Sequence, residues 1–361
     1  MSSLYVHIPF CPSLCAYCDF PKVIYRKEWA FSYLKALFEE LDDLKGNHYD
    51  TIYIGGGTPT SLDDDDFGSL LAYLANYKKE NTEWSIETNP DSLTDGKLAL
   101  ASRFGVNRIS IGMESSVPRL LKMMGRTHSF SDVQKAVERA RNFGFSNLNA
   151  DLIYALPGEK DEELQEDISA LLTLSLPHIS AYSLIIEKGT IFSHRGYQEA
   201  DDEIAARQYK MILSLLRKAG YNRYEVSNYA KNGYECKHNL VYWKDEQYDA
   251  VGLGASGYKD DKRYVNTRNL FRYNEGHYRE EIEQVTVKDD LEYYFLTNLR
   301  LEQGFSLIDF SKHFGFSFLD KYQEEFTKLS AQGLLLLQNN RVRPTDEGML
   351  LLDRILLTLF P

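Results

Sequence analysis

Cysteine is scarce in this chain, with four among 361 residues. That is too few, and too unevenly spread, for a disulfide scaffold. Three of them, Cys11, Cys15 and Cys18, fall within eight residues, and clustered thiols outside a disulfide framework point to a metal. No apolar run is long enough to span a bilayer. The opening MSSLYVHIPF has neither the basic region nor the apolar core of a signal peptide, so a cytoplasmic, reducing location is expected. Positive charge is in deficit, at a net −12, which excludes a nucleic-acid binder that works through a basic surface. Low-complexity linkers and internal repeats longer than a strand–helix period are also missing.

What remains is an ordinary globular composition, 43% hydrophobic and 26% charged. The length accommodates one large α/β barrel with a small appended domain, or two medium domains. The 25 tyrosines suit a pocket for a flat ligand or, more commonly, an aromatic-rich core. Short β-rich runs at 4–10, 51–54, 84–88, 108–112, 147–155 and 178–186 alternate with helical patterns at 28–45, from 62 onward, and at 96–104, 131–143, 162–174 and 201–219. Ser61 is placed to cap the second helix, and Asp63 to Asp66 suit its positive end. This strand–helix repeat predicts a parallel sheet with helices outside. Six units make either a partial barrel or an open doubly wound sheet, and both gather functional groups at the carboxyl ends of the strands.

The pattern changes near Tyr221 to aromatic, polar and irregular sequence. After Lys288 short amphipathic helices are predicted at 291–301, 307–314 and 318–332. A hairpin follows around Asn339-Asn340, and then a last helix over 346–359. Three helices and a hairpin suggest a winged-helix-like module, and its mixed charge fits packing or partner contact. The expected division is 1–220, 221–288 and 289–361.

The cysteines stand directly after the first strand, in His7-Ile8-Pro9-Phe10-Cys11-Pro12-Ser13-Leu14-Cys15-Ala16-Tyr17-Cys18-Asp19-Phe20. With C-x3-C-x2-C spacing, three thiolates can hold three irons of a [4Fe–4S] cubane and leave the fourth without a protein ligand. The amino and carboxylate groups of S-adenosylmethionine can fill that open iron, and an electron from the reduced cluster can then cleave the sulfonium bond. The rival is structural zinc on Cys15 and Cys18 with His7 as a further ligand. No second knuckle exists to complete it, and His7 reads as a packed strand residue.

The run Tyr5-x-His7-Ile8-Pro9-Phe10-Cys11-x3-Cys15-x-Tyr17-Cys18 resembles the radical S-adenosylmethionine proteins of the oxygen-independent coproporphyrinogen III oxidase group, and the resemblance covers nearly the whole chain. It is closer to the heme-chaperone branch than to the oxidases, which carry a fourth cysteine where this chain has Phe20 and a long extension before the first strand. The resemblance implies a partial (β/α)6 TIM-like barrel. It implies that Gly56, Gly57 and Thr58, in Gly55-Gly56-Gly57-Thr58-Pro59-Thr60, meet the methionine end of the cofactor. It assigns Glu87 to the ammonium, Arg126 to the carboxylate and Asp151 to the ribose hydroxyls, with Tyr5, Tyr17 and Ile185 also at the cofactor. A fork-shaped donor for a carboxylate and an acceptor for a diol are chemically apt. Glu114 stands where the family usually has Gln. An ionised Glu only accepts hydrogen bonds, so the contact there is expected to differ.

Beyond the barrel, His238-Asn239-x2-Tyr242-Trp243 resembles the HNxxYW motif of the heme-chaperone branch. An imidazole can ligate heme and aromatic rings can stack on a porphyrin. Equally, His238 can order a loop while Tyr242 and Trp243 pack. Cys236 is a second candidate ligand, although a lone cysteine is more often simply buried. The run Gly252-Leu253-Gly254-Ala255-Ser256-Gly257 is expected to be a flexible or close-packed turn near the cofactor. Two functions stay in view. One is a chaperone that binds heme, an iron–sulfur cluster and S-adenosylmethionine, and passes heme to an acceptor such as a membrane-bound respiratory protein. The other is an oxidase that decarboxylates coproporphyrinogen, with an electron donor for its cluster.

Overall fold

In the computed structural model, which describes residues 1–360, six strands lie side by side in chain order and all parallel. They are β1 (Ser3–Ile8), β2 (Tyr49–Gly56), β3 (Lys78–Thr88), β4 (Arg108–Glu114), β5 (Asn147–Tyr154) and β6 (His178–Ser183). Each connection therefore steps to the next position in the same direction. Right-handed crossovers then put every helix on one face, and the sheet curls with that face outside. A doubly wound sheet needs the strand order to reverse at a switch point. This order never does, so the architecture is the partial barrel.

The alternation within the strands has a single physical reading. Leu4, Val6, Ile52, Ile54, Ile109 and Ile111 are fully buried, or nearly so, in the apolar layer beneath the helices. Their neighbours of opposite parity, including Tyr5, Tyr53, Glu87, Ser110, Asn149 and His178, bond to one another inside the barrel. The lumen is thus polar. Burying such groups is costly unless they are paired, and Tyr53, Glu87, Asn149 and His178 are each paired with a neighbouring strand or segment.

The 221–288 region does more than connect. Asn228–Ala230 adds antiparallel to β6 and Asp249–Val251 adds parallel to β1, covering both open edges of the sheet. Between them the helix Lys237–Trp243 enters the amino end of the barrel. A separate antiparallel sheet is formed by Ser256–Lys259, Lys262–Asn266 and Arg279–Gln284. Strands of two or three residues are too short for periodicity to reveal. The glycine run is close-packed: Gly252 donates its N–H to Glu40, and a Cβ on Gly254 would lie 2.3 Å from Pro21 in the cysteine loop.

The C-terminal unit has the winged-helix arrangement. Helices Val287–Asn298, Leu307–Phe314 and Phe318–Ala331 precede the hairpin Leu335–Gln338 and Arg341–Pro344, whose turn places Asn339 and Asn340 at φ +52° and +60°. The buried Arg223 ties it to the barrel by pairing with Glu302 and Asp346. Three details differ from expectation. Asp63, not Ser61, caps the second barrel helix, because the Ser61 hydroxyl donates to the Phe10 carbonyl. A short helix, Pro118–Met124, follows β4. The last helix breaks at Leu351, whose φ and ψ are −119° and 32°. No described helix is long and apolar enough to cross a membrane.

Candidate functional site

The cysteine loop leaves the carboxyl end of β1 and is closed at its base by a short parallel pairing of Phe10–Cys11 with Val23–Ile24. His7 braces it from below. One ring nitrogen meets the Pro21 carbonyl at 2.8 Å and the other the Tyr5 hydroxyl at 3.0 Å. The Ala16 N–H donates to Met124 O at 2.8 Å and so pins the far side. The triple-glycine turn after β2 makes room for the same loop. A Cβ on Gly57 would sit 2.7 Å from Phe10 O and 2.9 Å from Cys11 Sγ. Gly56, at φ +112°, would drive its Cβ into the His7 ring at 2.6 Å.

A cavity of about 520 Å³ opens at the carboxyl ends of the strands, with Cys11, Cys15 and Cys18 on its wall. The Cys11 thiol accepts from the Thr58 hydroxyl at 3.8 Å, and Cys15 accepts from Arg126 at 3.5 Å. Burial pushes Cys11 up to about 11 and raises Cys18 as well. A bound cation is what holds such thiols deprotonated. With both His7 nitrogens engaged inside the barrel, the zinc reading loses its extra ligand. Three thiols on one cavity are the donor set that a [4Fe–4S] cluster with an open iron takes.

Three carboxylates line the same cavity. Glu87 accepts from the Tyr53 hydroxyl at 2.8 Å and from the Gly56 N–H at 3.1 Å. Burial nevertheless pushes it up to about 7, with Asp151 and Glu114 adding like charge. Asp151 accepts from Asn149 at 2.8 Å and Ser110 at 3.1 Å, and burial raises it too. Glu114 is pushed up to about 6 by burial, against the pull of Arg126. Arg126 donates to Gly112 O at 2.7 Å and to Asn89 at 2.9 Å, and its buried Nε has no partner. Glu87 and Asp151 beside one arginine, which Glu114 partly neutralises, suit a ligand that carries excess positive charge and one carboxylate. S-adenosylmethionine, with an ammonium, a sulfonium and a carboxylate, fits that description.

Tyr17, Gly56, Gly57, Thr58, Glu87, Glu114, Arg126, Asp151 and Ile185 all border this cavity with the cysteines. Tyr5 does not border it. It lies one layer below, stacked against Tyr53 at 6.3 Å and reaching the loop only through His7. Asn89 and Tyr182 also line the cavity. Their positions after β3 and within β6 were the available signal. Asp167 had none: it rises from the helix Asp161–Thr173, fully buried, to bind Ser115 and Ser116 just past Glu114.

The HNxxYW residues lie elsewhere. His238 is 1% exposed at the amino end of the barrel. Its Nδ1 meets Thr51 Oγ1 at 2.7 Å and its Nε2 meets the Tyr242 hydroxyl at 2.8 Å. The N–H groups of Lys237 and His238 point to Glu83 Oε1 at 2.9 and 3.2 Å. A neutral imidazole has one donor and one acceptor, and both are used. As placed, both ring nitrogens of His238 are engaged within the protein, the loop-ordering arrangement of the two expected for it. Asn239 contacts Cys236, Tyr242 packs on Tyr248, and Trp243 stacks beneath Arg300. Cys236 is completely buried beside Glu83.

Known proteins resemble the chain over almost its whole length. A profile of the radical SAM superfamily matches residues 5–171, and one of the HemN C-terminal domain matches residues 285–351. The heme chaperone HemW of Lactococcus lactis is 38% identical over 358 residues, 96% of this chain and 94% of its own. That of Bacillus subtilis is 35% identical, covering 97% of each chain. The solved coproporphyrinogen III oxidase HemN of Escherichia coli, a radical SAM enzyme, superposes with a TM-score of 0.86. It is 21% identical, with 99% of this chain and 89% of that one covered, which is a likeness of fold. On these matches the chain belongs to the HemW heme-chaperone family of the radical S-adenosylmethionine superfamily.

Proposed function

We propose that this chain is a heme chaperone. It carries a [4Fe–4S] cluster on Cys11, Cys15 and Cys18, holds S-adenosylmethionine beside it, and passes heme to an acceptor protein, such as a membrane-bound respiratory protein. The observation that supports the cofactor reading is one shared cavity lined by three thiols, Arg126 and three carboxylates. When bound and reduced by an electron donor, the cluster supplies an electron to the sulfonium. The chain's own groups bind and orient. Glu87 accepts from the ligand's ammonium, Arg126 meets its carboxylate, and Asp151 accepts from the ribose diol. Gly56, Gly57 and Thr58 lie along the methionine end, and Ile185 covers an apolar part.

Heme as cargo is supported by the relatives, which are named heme chaperones. It is also supported by the cavity mouth, where Phe20 and Ile185 are 63% and 64% exposed and offer apolar surface to a flat macrocycle. The likeness of fold to the oxidase keeps one alternative specific enough to test. The chain is purified without oxygen, its cluster is reconstituted, and heme binding is measured beside turnover of coproporphyrinogen. Stoichiometric heme binding without turnover supports the chaperone. Turnover to protoporphyrinogen at enzyme-like rates overturns it.

A further inference from the structure

We infer that His238 is a positioning residue for the cofactor cavity: it supports Tyr53 from below, and Tyr53 in turn orients Glu87. The inference rests on the reading of the cavity as an S-adenosylmethionine site. The ring of His238 lies 5.2 Å from that of Tyr53, with 26° between planes. Tyr5 lies along Tyr53 at 6.3 Å, also at 26°. The phenol of Tyr53 is therefore held by two rings, and its hydroxyl donates to Glu87 Oε1 at 2.8 Å.

His238 is itself fixed in every direction that matters. Thr51 and Tyr242 hold its two nitrogens. The helix that carries it is anchored through its first two N–H groups to Glu83 on β3. Thr51 and Tyr53 belong to β2, and Glu83 and Glu87 to β3. The motif helix thus grips the same two strands, at their amino ends, that present the glycine turn and Glu87 at their carboxyl ends. His238 has no atom on the cavity wall, so its influence on a ligand passes through Tyr53. Removing the ring leaves a void under the phenol. The phenol then loses its fixed direction, and Glu87 loses a well-aligned donor.

The same geometry explains how an HNxxYW motif can matter to a heme protein without ligating heme. Its imidazole belongs to the support of the cofactor pocket, at the end of the barrel opposite the cavity mouth.

The test uses the full-length protein with its cluster reconstituted anaerobically, and S-adenosylmethionine binding measured by equilibrium dialysis. The variants are His238→Ala, His238→Phe, Tyr53→Phe and the double variant His238→Ala/Tyr53→Phe. The expected result is an about tenfold weaker affinity for His238→Ala and for Tyr53→Phe, with the double variant no weaker than either alone. His238→Phe, which restores a flat ring but no polar atom, recovers most of the affinity. Iron and sulfide content stay at the wild-type level. In parallel, the absorption spectrum of added heme keeps its wild-type iron-ligand bands in His238→Ala. Unchanged S-adenosylmethionine affinity in both single variants overturns the inference. So do additive losses, and so does a heme spectrum that loses its ligand bands while S-adenosylmethionine affinity is intact. Tyr53→Phe removes a single hydroxyl and decides the matter if His238→Ala fails to fold. A wild-type protein that binds no S-adenosylmethionine overturns the cavity reading itself, and with it this inference.

Discussion

Glu114 Oε1 lies 3.6 Å from Arg126 Nη2 in the cavity wall, with both side chains nearly buried. Glu114 reaches this position from a β-bulge at the end of β4, where it adopts φ +62°. An ionised Glu so close to the arginine neutralises much of the charge that a ligand carboxylate would use. Glu114→Gln keeps the shape and removes the competing charge. S-adenosylmethionine should bind about three- to tenfold more tightly to this variant at pH 8. Isothermal titration of the reconstituted protein measures it, and weaker binding would show that Glu114 itself meets the ligand's positive end.

Glu87 gives a pH dependence with a definite sign. Its folded-state value of about 7 lies above the ordinary 4.5 because burial disfavours the charge. An ammonium ligand needs the ionised form, so affinity should rise about tenfold from pH 6 to pH 8. Glu87→Gln should bind weakly and flatten that rise. In the cofactor-free protein the sign reverses. A raised folded value contributes stability that is present below the ordinary value and lost as pH climbs through about 7. Glu87→Gln should therefore raise the melting temperature by about 2–4 °C at pH 8, and by less at pH 6. Calorimetry at the two pH values distinguishes this from a uniform effect.

Asp167 accepts from the Ser115 and Ser116 hydroxyls at 2.8 and 2.6 Å, and also from the Ser116 N–H. These bonds fix the turn that follows Glu114. Asp167→Ala leaves buried donors unpaired and should cost about 3 kcal/mol in denaturant unfolding. A loss below about 1 kcal/mol would mean that the turn holds itself.

Gly57 is tested by the smallest possible addition. A Cβ there meets Phe10 O at 2.7 Å and Cys11 Sγ at 2.9 Å, both on the loop that carries the thiols. Gly57→Ala should fold, as judged by circular dichroism, yet hold less than about half the wild-type iron and sulfide after reconstitution. Full iron content would show that the loop yields without consequence.

The six barrel strands were legible because their two faces differ: Leu4, Val6, Ile52 and Ile54 meet helices, while Tyr5, Tyr53 and Glu87 meet each other. The cysteine loop was legible from its spacing alone. Glu87, Arg126 and Asp151 needed the family resemblance, since an acid or arginine at a strand end has no unique meaning in one sequence. What stayed hidden depends on long-range placement. Thr51 and His238 are 187 residues apart when they bond, and the strands that cover the barrel edges are three residues each. Nothing local in His238-Asn239-Leu240-Val241-Tyr242-Trp243 says that this helix fills the amino end of the barrel, so a heme ligand and a packed support read alike.

Cys11, Cys15 and Cys18 are proposed to hold a cubane whose open iron takes S-adenosylmethionine. The most direct measurement is iron and acid-labile sulfide analysis of the anaerobically reconstituted protein, with electron paramagnetic resonance of its reduced form before and after S-adenosylmethionine is added. About four irons and four sulfides per chain are expected, with a spectrum that shifts on adding the ligand, and loss of both in Cys15→Ala. Zinc without sulfide, or a cluster spectrum indifferent to S-adenosylmethionine, would contradict it.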